Sequence, residues 1–161
     1  MVSPVVELRP VEPGDDDFLR GLYATTRADE MVATGWDPAQ VASFLDMQWR
    51  AQHTAYARRH PTSDHAVIVA DGRAAGRLWV ARGPSEIRIV DISLLPAEQG
   101  RGIGTQLLEE LQAEAKESDR VLTLSVASDN ARARALYLRL GFDVVAVEAG
   151  YQLMEWVPEG G

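Results

Sequence analysis

The stretch from Asp91 to Thr105 constrains this chain more than any other, because three glycines, Gly100, Gly102 and Gly104, stand between a strand-like run and an amphipathic helix. Upstream, Glu86 to Leu95 is rich in β-branched residues, with Ile87 and Ile89 expected on one face and Val90 and Ile92 on the other, as in a largely buried strand. Pro96 cannot donate to a sheet ladder and ends that strand. Downstream, Ile103, Leu107, Leu108, Leu111 and Ala115 recur at helical spacing, and Glu109, Glu110, Gln112 and Glu114 face away. The glycines therefore sit where unpaired N–H groups and the positive end of a helix dipole point outward, a place that suits a phosphate. Arg101 is expected to add a fixed positive charge beside it.

Several ligand sites use glycine turns. A P-loop needs Gly-x-x-x-x-Gly-Lys followed by Ser or Thr, and the sole lysine, Lys116, lies outside the turn. A dinucleotide fingerprint would place its third glycine at position 105, which is Thr105, and no series of alternating strands and helices surrounds it. Gln99-x-x-Gly102-x-Gly104, placed after Leu94-Leu95-Pro96, resembles instead the acetyl-CoA pyrophosphate loop of the GNAT superfamily of N-acetyltransferases. Ser128 to Phe142 adds to the likeness. It begins with N-cap residues, ends on Gly141 at a C′ position, and carries Asn130, Tyr137 and Gly141-Phe142 in the spacing of the second GNAT signature.

The resemblance implies an α+β (α/β/α) fold. It has a mixed, mostly antiparallel sheet of six to seven strands, about four helices, and a parallel strand pair splayed at the cofactor site. The topology covers nearly the whole chain, while the close motif match runs from about Asp91 to Phe142.

Length and composition agree with one domain, expected at 1–157 with a disordered tail at 158–161. No apolar run approaches a membrane span and no signal-peptide pattern opens the chain, so the expected location is cytoplasmic. Cysteine is absent, which excludes disulfides, thiolate metal sites and a cysteine acyl-intermediate. His53, His60 and His65 have no metal-ligand spacing; no metal is expected, and each reads as an ordinary surface or satisfied residue. A net charge of −8 argues against a nucleic-acid partner and leaves room for a cationic amine.

In chain order, Val5 to Val11 reads as a strand, and Asp15-Asp16-Asp17 as the acidic cap of a helix carrying Phe18, Leu19, Leu22 and Tyr23. Asp37-Pro38 starts a helix that runs to about Arg59, with Val41, Phe44, Leu45 and Trp49 on its apolar face. Gln48, Gln52 and Tyr56 form a stripe that either lines an acceptor pocket or is simply a polar helix edge; Trp36, Trp49, Tyr23 and Tyr56 are either lining or core. His65 to Asp71 and Ala74 to Ala81 read as a hairpin about Asp71-Gly72. Val121 to Ala127 is a strand parallel to the one before the glycine loop, and Phe142 to Glu148 and Tyr151 to Val157 form a last hairpin about Ala149-Gly150.

By the resemblance, backbone groups at Ile92, Ser93 and Leu94 bind the pantetheine arm of acetyl-CoA. Amides from Gly100 through Ile103 and Gly104 to Thr105 hold its pyrophosphate, with Gln99 and Arg101 flanking. Asn130 reaches the pantetheine, Ala133 packs beside it, and Tyr137 is the general acid for the leaving thiolate, against the plainer reading of a core aromatic. For the base, Asp91 is expected on the face of Ile87 and Ile89 with a raised pKa, or else as a hydrogen-bonded structural residue; Glu86 and a water-relayed path stay open. The implied activity is acetyl transfer to a primary amine of a small molecule or protein by direct attack in a ternary complex, in a monomer or homodimer. The alternative is a non-catalytic acyl-CoA sensing module.

Overall fold

The chain is laid out in a computed structural model that describes residues 3–159, with three helices between the first two strands and two more farther on. β1 (Val6–Pro10) leads through a 3-10 turn (Pro13–Asp15) into α1 (Asp16–Thr26), α2 (Ala28–Thr34) and α3 (Pro38–Arg59). β2 (Asp64–Ala70), β3 (Arg73–Arg82) and β4 (Glu86–Leu94) form a meander, followed by a 3-10 turn (Pro96–Glu98) and α4 (Ile103–Glu117). β5 (Val121–Ala127), α5 (Ala131–Arg139), β6 (Asp143–Glu148) and β7 (Tyr151–Trp156) complete it. Of the tail expected at 158–161, the last two residues lie outside the described ones.

The seven strands form one sheet in the order β1-β2-β3-β4-β5-β7-β6. Among the described residues only β4 and β5 pair in parallel, as the intervening helix requires. The two tight hairpins turn on Asp71-Gly72 and Ala149-Gly150, all four residues at positive φ, and this is the geometry whose twist matches paired strands. Gly76 in mid-β3 has a different reason: a Cβ there would collide with the Ser93 carbonyl oxygen of β4.

One face of the sheet carries the larger core. Ile103, Leu107, Leu108, Leu111 and Ala115 of α4 are all buried, against Ile87 and Ile89 of β4, Leu122 and Leu124 of β5, and Tyr137 and Phe142. Each large apolar side chain so buried is worth roughly 1.5–3 kcal/mol of transfer free energy. On the other face α1 and α3 build a smaller cluster of Leu19, Tyr23 and Trp49. Trp49 and Tyr23 are thus core, whereas Trp36 is exposed and meets Phe44 edge-on.

The expected count of about four helices comes out at five α-helices among the described residues, and Ala28–Thr34 is a short one that buries only Met31 and so carries no apolar stripe to announce it. Two other expectations change. The acidic run is more than a cap: Asp15 accepts two bonds from Arg9 (2.8 and 2.7 Å) and one from the Glu12 amide, tying β1 to the start of α1. His53 and His65 lie half-buried in an aromatic stack with Trp49 and Trp79, and among the described residues His53 Nδ1 and His65 Nε2 have no hydrogen-bond partner.

Candidate active site

β4 and β5 are in register only from Glu86↔Val121 to Ile89↔Leu124. Beyond that rung β4 continues to Leu94 and β5 to Ala127 with no pairing across, so the parallel pair splays. β5 stays paired to β7 along its length, and β4 to β3, which holds the wedge open from both sides.

A bulge sharpens the wedge. β3 pairs Val80↔Ile89 and then Trp79↔Asp91, leaving Val90 without a partner. The extra residue reverses the alternation, so Ile92 joins Ile87 and Ile89 on the α4 face. Asp91 moves to the opposite face with Trp79, and not, as expected, to that of Ile87 and Ile89. There its Oδ2 accepts from Arg77 Nε (2.6 Å) and Ser93 Oγ (2.9 Å), and Arg77 Nη2 donates to Gln52 Oε1 (3.0 Å). The stripe on α3 thus faces the sheet: Gln52 orients Arg77, Tyr56 packs edge-on against Trp79, and Gln48 accepts from Tyr23. Burial and then the Asp91 charge raise the Tyr56 pKa.

At the mouth of the wedge, Gly100 and Gly102 both adopt positive φ (75° and 82°), which only glycine takes at little cost. Gly102 caps α4, and the first helical bond runs from Gln106 N to Gly102 O (3.0 Å). The amides of Ile103, Gly104 and Thr105 therefore have no helical acceptor. A Cβ on Gly102 would stand in open space, so the positive φ and not crowding calls for glycine there, and the backbone is open to a ligand. These residues fit a pyrophosphate.

Arg101 does not supply the flanking charge. Its guanidinium turns back to Asp71 (2.9 Å) and Glu98 (2.6 Å), and those two carboxylates hold its pKa up. The cation over the loop is Arg132 of α5: it donates to Gln99 Oε1 (3.2 Å), and its Nη2 lies 3.4 Å from where a Gly100 Cβ would be. Gln99 also donates to the Leu94 carbonyl (3.2 Å), joining the loop to the end of β4. Sequence reading passed over Arg132 although it lies inside the second motif, two residues after Asn130.

Asn130 caps α5, its Oδ1 accepting from Ala133 N (3.2 Å), and Ala133 packs on the larger core. One turn on, Tyr137 is buried against Phe142. Burial first, and then the negative charge of Asp91, raise its pKa, so the phenol keeps its proton at neutral pH. The ring lies in the α4/α5 core while Asp91 projects on the α3 face, so the two flank the wedge from opposite sides of the sheet. On the α3 face, a cleft of about 1000 Å³ opens beside β4 and β5, lined among others by Glu86, Arg88, Ser125 and Tyr151. Glu86 accepts from Thr123 Oγ1 there. Among the described residues no group of three or more His, Cys, Asp or Glu side chains is placed to hold a metal ion.

A wedge between two parallel strands, a glycine cradle at a helix start and a buried tyrosine define an acyl-CoA site in form, and comparison with known proteins agrees. The profile of the Acetyltransferase (GNAT) family matches residues 26–142, and the chain belongs to that family. It is 30% identical to the mycothiol acetyltransferase of Mycobacterium sp. (strain MCS) over 169 aligned positions, covering 94% of this chain and 54% of that protein. The chain thus spans about half the length of the mycothiol acetyltransferase that it matches. A shorter match, 43% over 68 residues, covers 42% of this chain and 42% of the N-alpha-acetyltransferase RimI of Mycobacterium tuberculosis. In fold it is similar to the PaiA N-acetyltransferase of Thermoplasma acidophilum, solved in complex with coenzyme A. The TM-score is 0.70 at 16% identity, over 95% of this chain and 99% of that one.

Proposed function

We propose that this protein is an acetyl-CoA-dependent N-acetyltransferase that moves an acetyl group to a primary amine by direct attack in a ternary complex. The observation that carries the reading is the wedge itself, bounded at its mouth by the free amides of Ile103, Gly104 and Thr105 and on its α5 side by a protonated Tyr137. Bound acetyl-CoA supplies an activated thioester. The residues of the chain do the rest.

The three amides and the positive end of α4 hold the pyrophosphate, with Arg132 and Gln99 beside it. The unpaired edge of β4 at Ile92, Ser93 and Leu94 binds the pantetheine arm by ladder-like hydrogen bonds, and Asn130 and Ala133 border it from α5. Tyr137 Oη holds a proton at neutral pH and gives it up as charge develops on the leaving sulfur. In this reading the acceptor enters from the α3 face, and Asp91, Glu86 or a water takes the amine proton. One relative is named for mycothiol and another for N-alpha acetylation, which supports an acceptor that is either a small molecule or a protein amine. No helix among the described residues is long and apolar enough to cross a membrane, and we place the enzyme in the cytoplasm, as a monomer or homodimer, without a nucleic-acid partner.

The deciding experiment is calorimetric titration with acetyl-CoA, followed by thiol release against a panel of amines. Binding with acceptor-dependent release is expected. Binding without release from any amine would contradict the reading.

A further inference from the structure

Arg88 is the one arginine of β4, and its surroundings differ from those of the neighbouring cations. Arg77, Arg82 and Arg101 each pair with a carboxylate. Arg88 has no carboxylate within salt-bridge distance among the described residues; its Nη2 donates to Ser125 Oγ of β5 (2.7 Å) and leaves other donors of the fork unused. It stands opposite Thr123, one residue before the last parallel rung, and on the α3 face. The bulge at Val90 brings Asp91 onto that same face. Arg88 thus lines the acceptor cleft at the root of the wedge, about one residue rise, ~3.3 Å along the strand, from where the strands part.

Two arginines and two glutamates line the cleft, so it is locally balanced where the chain as a whole is strongly acidic. Arg59 and His60, at the end of α3, line it together with Arg88, and Glu86 and Glu148 are its acids. Glu86 is already engaged by Thr123. Burial lowers the Arg88 pKa, partly offset by Glu86, which marks a guanidinium that has lost water without gaining a full counter-charge. A planar fork in that state is matched by a carboxylate, which can accept two parallel bonds.

We propose that Arg88, with Ser125, is the receptor for a carboxylate on the acceptor, so that the preferred substrates are small amino acids. This inference rests on the acetyltransferase reading for the position of the amine, and it names the substrate class of that site. Arg88 stands one rung before the strands part, so a carboxylate on its fork holds the rest of a small substrate in the cleft beside the wedge. The overall charge of −8 disfavours anions at long range, but that field is screened over about 8–10 Å in physiological salt, and the nearby guanidinium decides.

Two measurements test this. In the first, thiol release is followed with α- and β-amino acids and with their carboxamides, in the wild type and in Arg88→Gln and Arg88→Lys. The acids are expected to exceed the amides by about 10- to 100-fold in kcat/KM, as for loss of one or two charge-assisted hydrogen bonds. Arg88→Gln abolishes the difference, mainly through KM, and Arg88→Lys keeps part of it. Acids and amides used equally by the wild type, or a preference that survives in Arg88→Gln, overturns the proposal. In the second, binding of N-acetylglycine and N-acetylglycinamide to the protein–CoA complex is measured by ligand-observed NMR, which requires no turnover. Binding of the acid that Arg88→Gln removes supports the carboxylate site even if no amine is acetylated, in which case the acetyltransferase reading fails alone. Equal binding of both probes, or of the acid to both proteins, rejects the site. Unchanged CoA affinity and melting temperature in Arg88→Gln confirm that the variant is folded.

Discussion

Arg77 on β3 and Asp91 on β4 meet at 2.6 Å across the strand pair, on the face of the sheet away from Tyr137, because the bulge at Val90 turns Asp91 over. Arg77 is 4% exposed, and its remaining contacts are Gln52 and the ring of Trp79. Removing one member of a buried pair strands the other charge. Asp91→Asn, which strands the buried Arg77 charge, is therefore expected to lower stability by about 3 kcal/mol in denaturant titration, and Arg77→Met by less, since the Asp91 it strands is partly solvated. Equal stability in Asp91→Asn would show that the pair contributes nothing net.

For Tyr137 the fold and the reaction can be separated. Its hydroxyl makes no hydrogen bond among the described residues, while its ring fills core space against Phe142. Tyr137→Phe keeps the ring and removes only the proton donor. CoA affinity and melting temperature should change little, whereas kcat falls by about 10²-fold or more, the usual worth of a general acid. Retention of full kcat by this variant would assign the proton to another group.

At the glycine loop, Gly102→Ala combines two effects. A Cβ at φ 82° costs about 1–2 kcal/mol of backbone strain, and it would occupy the open space before the free amides. A rise of at least about 10-fold in the Kd for CoA is expected beyond what the strain alone explains, measured by calorimetry on folded protein. Gly104→Ala is the contrast. A Cβ there meets only Leu136 at 3.8 Å and Leu94 at 4.0 Å, ordinary contact, so the helix should tolerate it.

Most of this architecture was legible because it is written in short-range patterns. The apolar spacing of α4 named all five residues that the helix buries, and Asp37-Pro38 marked the start of α3, where a reciprocal cap with Gln40 is found. What stayed hidden depends on long-range geometry. One extra residue at Val90 changes which face Asp91 serves, and no composition or periodicity within β4 reports it, because only the register with β3 creates the bulge. Arg101 lies in the motif, yet Asp71, 30 residues upstream, draws its side chain away and leaves the loop to Arg132. Residue identity in a motif fixes the backbone placement; partners distant in sequence fix where a long side chain points.

The histidines give the last prediction, on stability against pH. His65 is stacked on Trp79 with ring centroids 4.1 Å apart, and His53 lies 6.0 Å from it. Burial first, and then the positive charge of Arg77, push the His65 pKa down to about 4, from 6.5; His53 is lowered by the same two causes. Between those values the unfolded chain binds protons that the folded one does not, so stability is complete above about pH 6.5 and is lost as pH falls toward 4. Melting temperatures measured across that window should decline on acidification. In His65→Phe, which keeps an aromatic ring on Trp79 without a titrating nitrogen, the decline should be shallower. An identical slope in the two proteins would mean that His65 titrates as it does in the unfolded chain, and the acid sensitivity would then have to come from carboxylates such as Asp15, whose pairing with Arg9 holds it down to about 2.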